Sequence, residues 1–287
     1  MPEATLASAR PGGAFEERGM RNILWGVLAS ATLAAPLPGT DEAIRHAVAS
    51  PARDEDFVAR DVVRHPAEEL SFFGVRPTST VVEVWPGGGY WTQILAPLLH
   101  DHGAYYAAFG PADGDSEERL FAVGPEFQRM LHHNPSIYGK AHLTEFGAHH
   151  PEMAPPGSAD FVLTFRNLHN WMSEGTAPAM LAAIHRALKP GGVLGIEDHR
   201  GNASIPQDPK ARSGYVRQAY AIRLIERAGF TLVASSEINA NPRDTTIWPK
   251  GVWTLPPVLA LKDQDREKYL AVGEADNFVL KFRKVRT

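Results

Sequence analysis

Between residues 80 and 198, short strand-like runs, the first of them β-branched, alternate with stretches of helical periodicity, and that alternation leaves few folds open. Residues 80–85, 104–109, 141–146, 160–165 and 193–198 read as strands. Residues 91–100, 125–132 and 177–188 read as helices, the last with Leu181, Ile184 and Leu188 on one face and Lys189-Pro190-Gly191-Gly192 as its stop signal. Strands joined by helical crossovers pair in parallel, and a parallel sheet needs helices over both faces. Upstream, a helix is expected to start at His65-Pro66 and end at Gly74. Downstream, Val216, Tyr220 and Leu224 share a helix face before Gly229, and residues 230–238 and 277–285 supply two final strands. The expected class is therefore α/β, a doubly wound, mostly parallel sheet.

With 44% hydrophobic residues in 287, the chain can bury a full core, and 33 acidic against 29 basic residues give no general attraction to nucleic acid. The absence of cysteine excludes disulfides, thiolate metal sites and a cysteine nucleophile. No apolar run reaches the roughly 20 residues that span a bilayer. Residues 23–35 are nevertheless uncharged and apolar, follow Met20-Arg21-Asn22, and include small residues at Ala29-Ser30-Ala31 and Ala34-Ala35, the make-up of a signal peptide. The expected organisation is an N-terminal extension over 1–40 that directs export to the periplasm or beyond, then a single domain over 41–287. The alternative is a buried N-terminal helix in a cytoplasmic protein. Residues 239–276, between the last two strands, form an insertion longer than a hairpin needs. It reads as a lid with Trp248 and Trp253 as substrate contacts, or else as a brace on the sheet edge.

The most informative chemistry lies in Val81-Val82-Glu83-Val84-Trp85-Pro86-Gly87-Gly88-Gly89-Tyr90, a buried strand running into a glycine turn and then a helix. Glycines let a backbone approach a ligand closely, and an acid at the strand end can accept hydrogen bonds from it; the bland reading is a tight turn. Three other strands end in polar groups that would meet the same rim: Arg166-Asn167-Leu168-His169-Asn170-Trp171, Glu197-Asp198-His199-Arg200 and Gly147-Ala148-His149-His150.

Together, E-V-W-P-G-G-G, DFVLTFRNLHN and LKPGGVLGIEDH resemble the turn, fourth-strand and fifth-strand motifs of class I S-adenosylmethionine-dependent methyltransferases, over roughly residues 80–285. WPGGGYWTQILAP, SSEINANPRDT and GVWTLPP are similar to a group of bacterial predicted methyltransferases that often carry signal peptides. The resemblance implies a Rossmann-like seven-stranded sheet with its last strand antiparallel. It also implies S-adenosylmethionine as cofactor, held by Glu83, Pro86, Gly87, Gly88, Gly89, Ala148, Arg166 and Asn167. The chain departs from the family pattern at Trp85, which replaces the first glycine of the turn, and at the second strand, which ends without an acid and leaves Asp113 or Asp115 as substitutes. Pro97 should kink or shorten the helix after the turn.

Methyl transfer needs an aligned nucleophile in a dry pocket and often a base. The candidate bases are His169 and His199, with Tyr215 reaching over the same rim and Asn170, Arg217, Trp248 and Trp253 contacting a small-molecule acceptor. The competing reading of each histidine is a packing residue at a strand end. No metal site is expected, because adjacent histidine pairs such as His132-His133 and His149-His150 rarely point at one ion. Competing readings are an exported ligand-binding protein or a non-methyltransferase enzyme on this fold, and then a nicotinamide oxidoreductase, which the fifth-strand segment disfavours.

Overall fold

Val82 and Val84 of strand β1 (Thr80–Val84) enter one apolar layer while Val81 enters the other, as the two-residue period of a strand requires. In the computed structural model, which describes residues 39–285, β1 lies inside a seven-stranded sheet. Its partners are β2 (Ala104–Phe109), β3 (His142–Glu145), β4 (Ala159–Phe165), β5 (Leu188–His199), β6 (Phe230–Ser236) and, after a short β7 (Pro249–Val252) outside the sheet, β8 (Asn277–Lys284). The order is β3-β2-β1-β4-β5-β8-β6. β1 to β5 pair in parallel, and β8 runs antiparallel between β5 and β6. This is the doubly wound sheet expected, with its last strand antiparallel.

The chain enters through α1 (Thr40–Val48), α2 (Glu55–Val58), α3 (Asp61–Arg64) and α4 (Pro66–Phe73), which Pro66 starts and Gly74 ends in the left-handed conformation. α5 (Thr92–Leu99) follows β1 and ends two residues after Pro97. Then come α6 (Ser116–Leu120), α7 (Pro125–His133) and α8 (Pro135–Tyr138). α9 (Leu168–Glu174) and α10 (Ala177–Ala187) lie between β4 and β5, α11 (Gln218–Arg227) precedes β6, and α12 (Arg266–Val272) precedes β8. Buried residues of α1, α4, α5 and α7 share one core layer with Leu163 and Phe165, while α9, α10 and α11 share the other with Val162 and Ile196.

One expected boundary moves. Lys189-Pro190-Gly191-Gly192 ends α10 but does not delay the strand, because β5 begins at Leu188 opposite Ala159 and absorbs the segment as an irregularity in register. In the insertion, Val252, Leu255 and Tyr269 pack with Tyr215 and Ala275, and Asp244 accepts from Tyr215, Trp248 Nε1 and the amides of Thr246 and Asp276. Residues 23–35, the signal-like run, lie outside the described residues. Among the described residues, no helix is long and apolar enough to cross a membrane.

Candidate active site

β1 feeds a connection toward β2 on one side and β4 one toward β5 on the other, so the winding reverses between β1 and β4. A crevice opens at such a reversal, outside the carboxyl ends of the strands. Here it is a cavity of about 680 Å³, whose wall includes Gly87 and Gly88 after β1, Arg166, Asn167 and His169 after β4, and His199 at the end of β5. Glu83, Pro86, Asn170 and Trp253 line it as well, so ten of the residues singled out in the sequence meet in one place.

The glycine turn is open where a ligand would need it to be. Gly87 has φ +59, and a Cβ built there meets nothing within 4 Å; one on Gly88 would meet only Phe57, at 3.5 Å. Gly89 serves packing instead: its φ is +95, a Cβ would crowd Phe127 at 3.2 Å, and it does not line the cavity. Beneath the turn, Glu83 is 1% exposed, and its Oε2 accepts from Thr92 Oγ1 at 3.0 Å and from the Tyr105 hydroxyl. Burial pushes its carboxyl up to about 7, against the pull of those two hydrogen bonds.

Trp85, at φ +50, lines the cavity with an indole that is anchored in the core. Nε1 donates to the Phe146 carbonyl at 2.9 Å, the ring stacks on Phe121 with centroids 4.5 Å apart, and Trp171 meets it edge-on. Beyond that wall, Glu118 (2% exposed) covers the ends of β2 and β3, with Oε1 accepting from the Ala148 amide and Oε2 from that of Asp115. The Ala148 amide assigned to the cofactor is thus spent on the chain's own carboxylate, and Ala148 is not in the cavity wall. The β3 end does not join the rim either, since His150 pairs with Asp113 at 3.1 Å.

At the end of β4, Arg166 takes a left-handed conformation, φ +60, fixed by its amide donating to the Glu197 carbonyl at 2.8 Å. Asn167 stitches β4 to β1, its Nδ2 donating to the Val84 carbonyl at 2.9 Å and to Thr164 Oγ1 at 3.1 Å. His169, in the first turn of α9, donates its amide to Asp198 Oδ2 at 3.0 Å, and its Nδ1 lies 2.8 Å from Oδ1. Burial alone would raise the Asp198 carboxyl, but its pairing with His169 outweighs that and holds the group below its ordinary value. Asp198 accepts a hydrogen bond from His169 Nδ1–H, which turns the Nε2 edge of the ring away from it.

The rings of His199 and His169 have centroids 5.2 Å apart, and His199 Nδ1 sits 2.8 Å from Asn277 Oδ1. Burial, then the neighbouring His169, pushes His199 down to about 3, so it is neutral at pH 7. Ligand-type atoms of His169, Asp198 and His199 lie within 4.8 Å of one another, but both oxygens of Asp198 already accept from N–H donors.

Three other residues of the sequence reading stand away from the cavity wall. Tyr215 gives its hydroxyl to Asp244 Oδ2 at 2.8 Å, and burial pushes its phenol far up, which makes it a poor base. Trp248 donates to the same carboxylate at 2.7 Å and packs edge-on against Tyr269. Arg217 caps α11, its amide donating to Gln207 Oε1 at 2.6 Å. Conversely, Arg60, Arg64 and Glu274 line the cavity although no motif marks them; the spacing of Arg60 and Arg64, one helical turn apart, was the available signal. Asp198 belongs to the Glu197-Asp198-His199-Arg200 cluster at the end of β5, and its bond to His169 reveals its use.

No protein-family model matches the chain, and no curated protein matches it in sequence. Solved structures do. A SAM-dependent methyltransferase from Aquifex aeolicus aligns at 16% identity over 85% of this chain and 98% of its own, with a TM-score of 0.51. A protein from Galdieria sulphuraria assigned as a sarcosine dimethylglycine methyltransferase aligns at 13% identity over 86% and 98%, TM-score 0.53. The fold is that of the class I methyltransferases. The [4+2]-cyclase SpnF is as similar, at 15% identity over 83% of this chain and 86% of its own, TM-score 0.51, so the fold by itself leaves the reaction open.

Proposed function

We propose that the chain transfers the methyl group of S-adenosylmethionine to a small-molecule acceptor, with His169 as base. The observation that carries this reading is a single cavity joining an open glycine turn to an imidazole oriented by a buried aspartate. Bound cofactor would supply an electrophilic sulfonium methyl. The residues present fit it on two counts. The space over Gly87 admits a close backbone approach, and Trp85, Leu120 and Phe121 line the cavity with apolar surface for a purine. Pro86, Gly87 and Gly88 would cradle the cofactor, with Glu83, Arg166 and Asn167 toward its amino-acid end. His169 Nε2 receives the acceptor proton while Asp198 holds Nδ1–H, and His199, uncharged, leaves the base unopposed. Trp253, Pro256 and Pro257 of the insertion close one side and exclude water, which supports its role as a lid.

A second reading, a ligand-binding protein or an enzyme of another class on this fold, draws support from Glu118 and Trp85, which fill the β2–β3 rim with the chain's own groups. Calorimetric titration of the full chain with S-adenosylmethionine separates the two: a one-to-one isotherm is expected, and no heat from folded protein leaves the second reading. Export rests on the composition of residues 23–35. N-terminal sequencing of native protein should find a first residue between about 30 and 40; an intact cytosolic chain would reject it.

A further inference from the structure

Three guanidinium groups converge on one carboxylate in the cavity wall. Arg60 Nε donates to Glu274 Oε1 at 2.8 Å, Arg64 Nη2 to Oε2 at 3.0 Å, and Arg166 Nη1 to Oε2 at 3.3 Å. The guanidiniums come from the lead-in helices and the β4 rim, and the carboxylate from the insertion. Arg60 Nη2 is buried with no hydrogen-bond partner, and the Arg64 guanidinium lies 4.7 Å from the centre of the Tyr90 ring. Arg166 reaches the cluster from a left-handed backbone that only glycine adopts freely, and such strain persists where the surroundings impose it, often at ligand sites.

The direct ion pairing is uneven. Two further carboxyls, Glu69 and Glu197, stand behind Arg166 and share the Asn239 carboxamide. Burial, reinforced by Glu197, pushes Glu69 well above its ordinary value. Glu274 is the one carboxylate here that accepts directly from all three permanent cations. Guanidinium groups held out of water without full neutralisation are costly, and one more anion removes the deficit. Arginine suits a carboxylate especially, because its planar donor fork matches the two oxygens.

We propose that Arg60, Arg64 and Arg166 form a subsite for the carboxylate of a ligand, with Glu274 as the counter-ion the chain keeps there. This deepens the transferase reading and rests on it for a cofactor beside the acceptor: the acceptor is a small carboxylic acid whose nucleophilic atom faces His169. The amino-acid end of the cofactor carries the same chemistry, and the test separates the two sources.

Titrating the full chain with benzoate and with benzamide, its uncharged likeness, should show benzoate binding at least about tenfold tighter. Arg60→Gln and Arg64→Gln should each weaken benzoate by about tenfold or more, with folding checked by circular dichroism, and Glu274→Gln should tighten it by removing the competing anion. A purely structural ion cluster would not produce that gain. Equal binding of benzoate and benzamide, or no benzoate binding to either wild type or Glu274→Gln, would overturn the subsite. Benzoate bound together with S-adenosylhomocysteine assigns the subsite to the acceptor. Competition, with Arg60→Gln weakening S-adenosylhomocysteine but not 5′-methylthioadenosine, assigns it to the cofactor. A chain that binds benzoate but neither nucleoside keeps the subsite and ends the transferase reading.

Discussion

Replacing Glu83 with glutamine tests whether the acid under the glycine turn is kept neutral by the fold. In the unfolded chain this carboxyl titrates near 4.5; in the fold, burial moves it to about 7. Between those values the folded state holds a proton that the unfolded state has lost, so stability present below about 4.5 is lost as pH rises to about 7. At 1.36 kcal/mol per pH unit the loss is about 3 kcal/mol. Glutamine resembles the protonated acid, and its oxygen can still accept from Thr92 and Tyr105, so Glu83→Gln should match wild type near pH 4 and exceed it by about 2–3 kcal/mol at pH 8. For a chain of this size that is roughly 5–10 °C in Tm. Urea unfolding of both proteins from pH 4 to 8 reads the difference directly, and other carboxyls, Glu69 and Glu197 among them, cancel in it. Parallel curves with a constant offset, or a variant that weakens as pH rises, would refute a neutral buried Glu83.

Gly87→Val should leave a folded protein, destabilised by about 1–2 kcal/mol because φ +59 strains a branched residue, yet abolish S-adenosylmethionine binding by filling the open approach; unchanged affinity would leave only a tight turn. His169→Ala should lower turnover by about 10²–10⁴-fold with little change in cofactor affinity, and Asp198→Asn should approach that loss, whereas His199→Ala should act mainly on acceptor KM. If all three lower thermal stability and spare turnover per folded molecule, the imidazoles are structural. Trp85→Ala should cost about 3–5 kcal/mol in denaturant unfolding, since it removes a stacked, hydrogen-bonded indole from the core; a loss below about 1 kcal/mol would contradict that packing.

What the sequence alone determined is local or periodic. The apolar runs that became β1, β2, β4 and β5 are read from consecutive residues, and their alternation with helices left the doubly wound sheet as the natural solution. The glycine turn and Arg166-Asn167 through His169 were legible for the same reason: a strand end carries its next few residues to the rim wherever the strand goes. Tertiary structure decided which side chains meet. His169 finds Asp198 29 positions away, and Arg64 finds Glu274 210 positions away, at distances no spacing rule encodes. It also withdrew Ala148, Tyr215 and Trp248 from the cavity, because Glu118 and Asp244 offered their donors buried acceptors. A buried donor must be satisfied by whichever acceptor packing brings within reach, and that is a property of the folded chain as a whole.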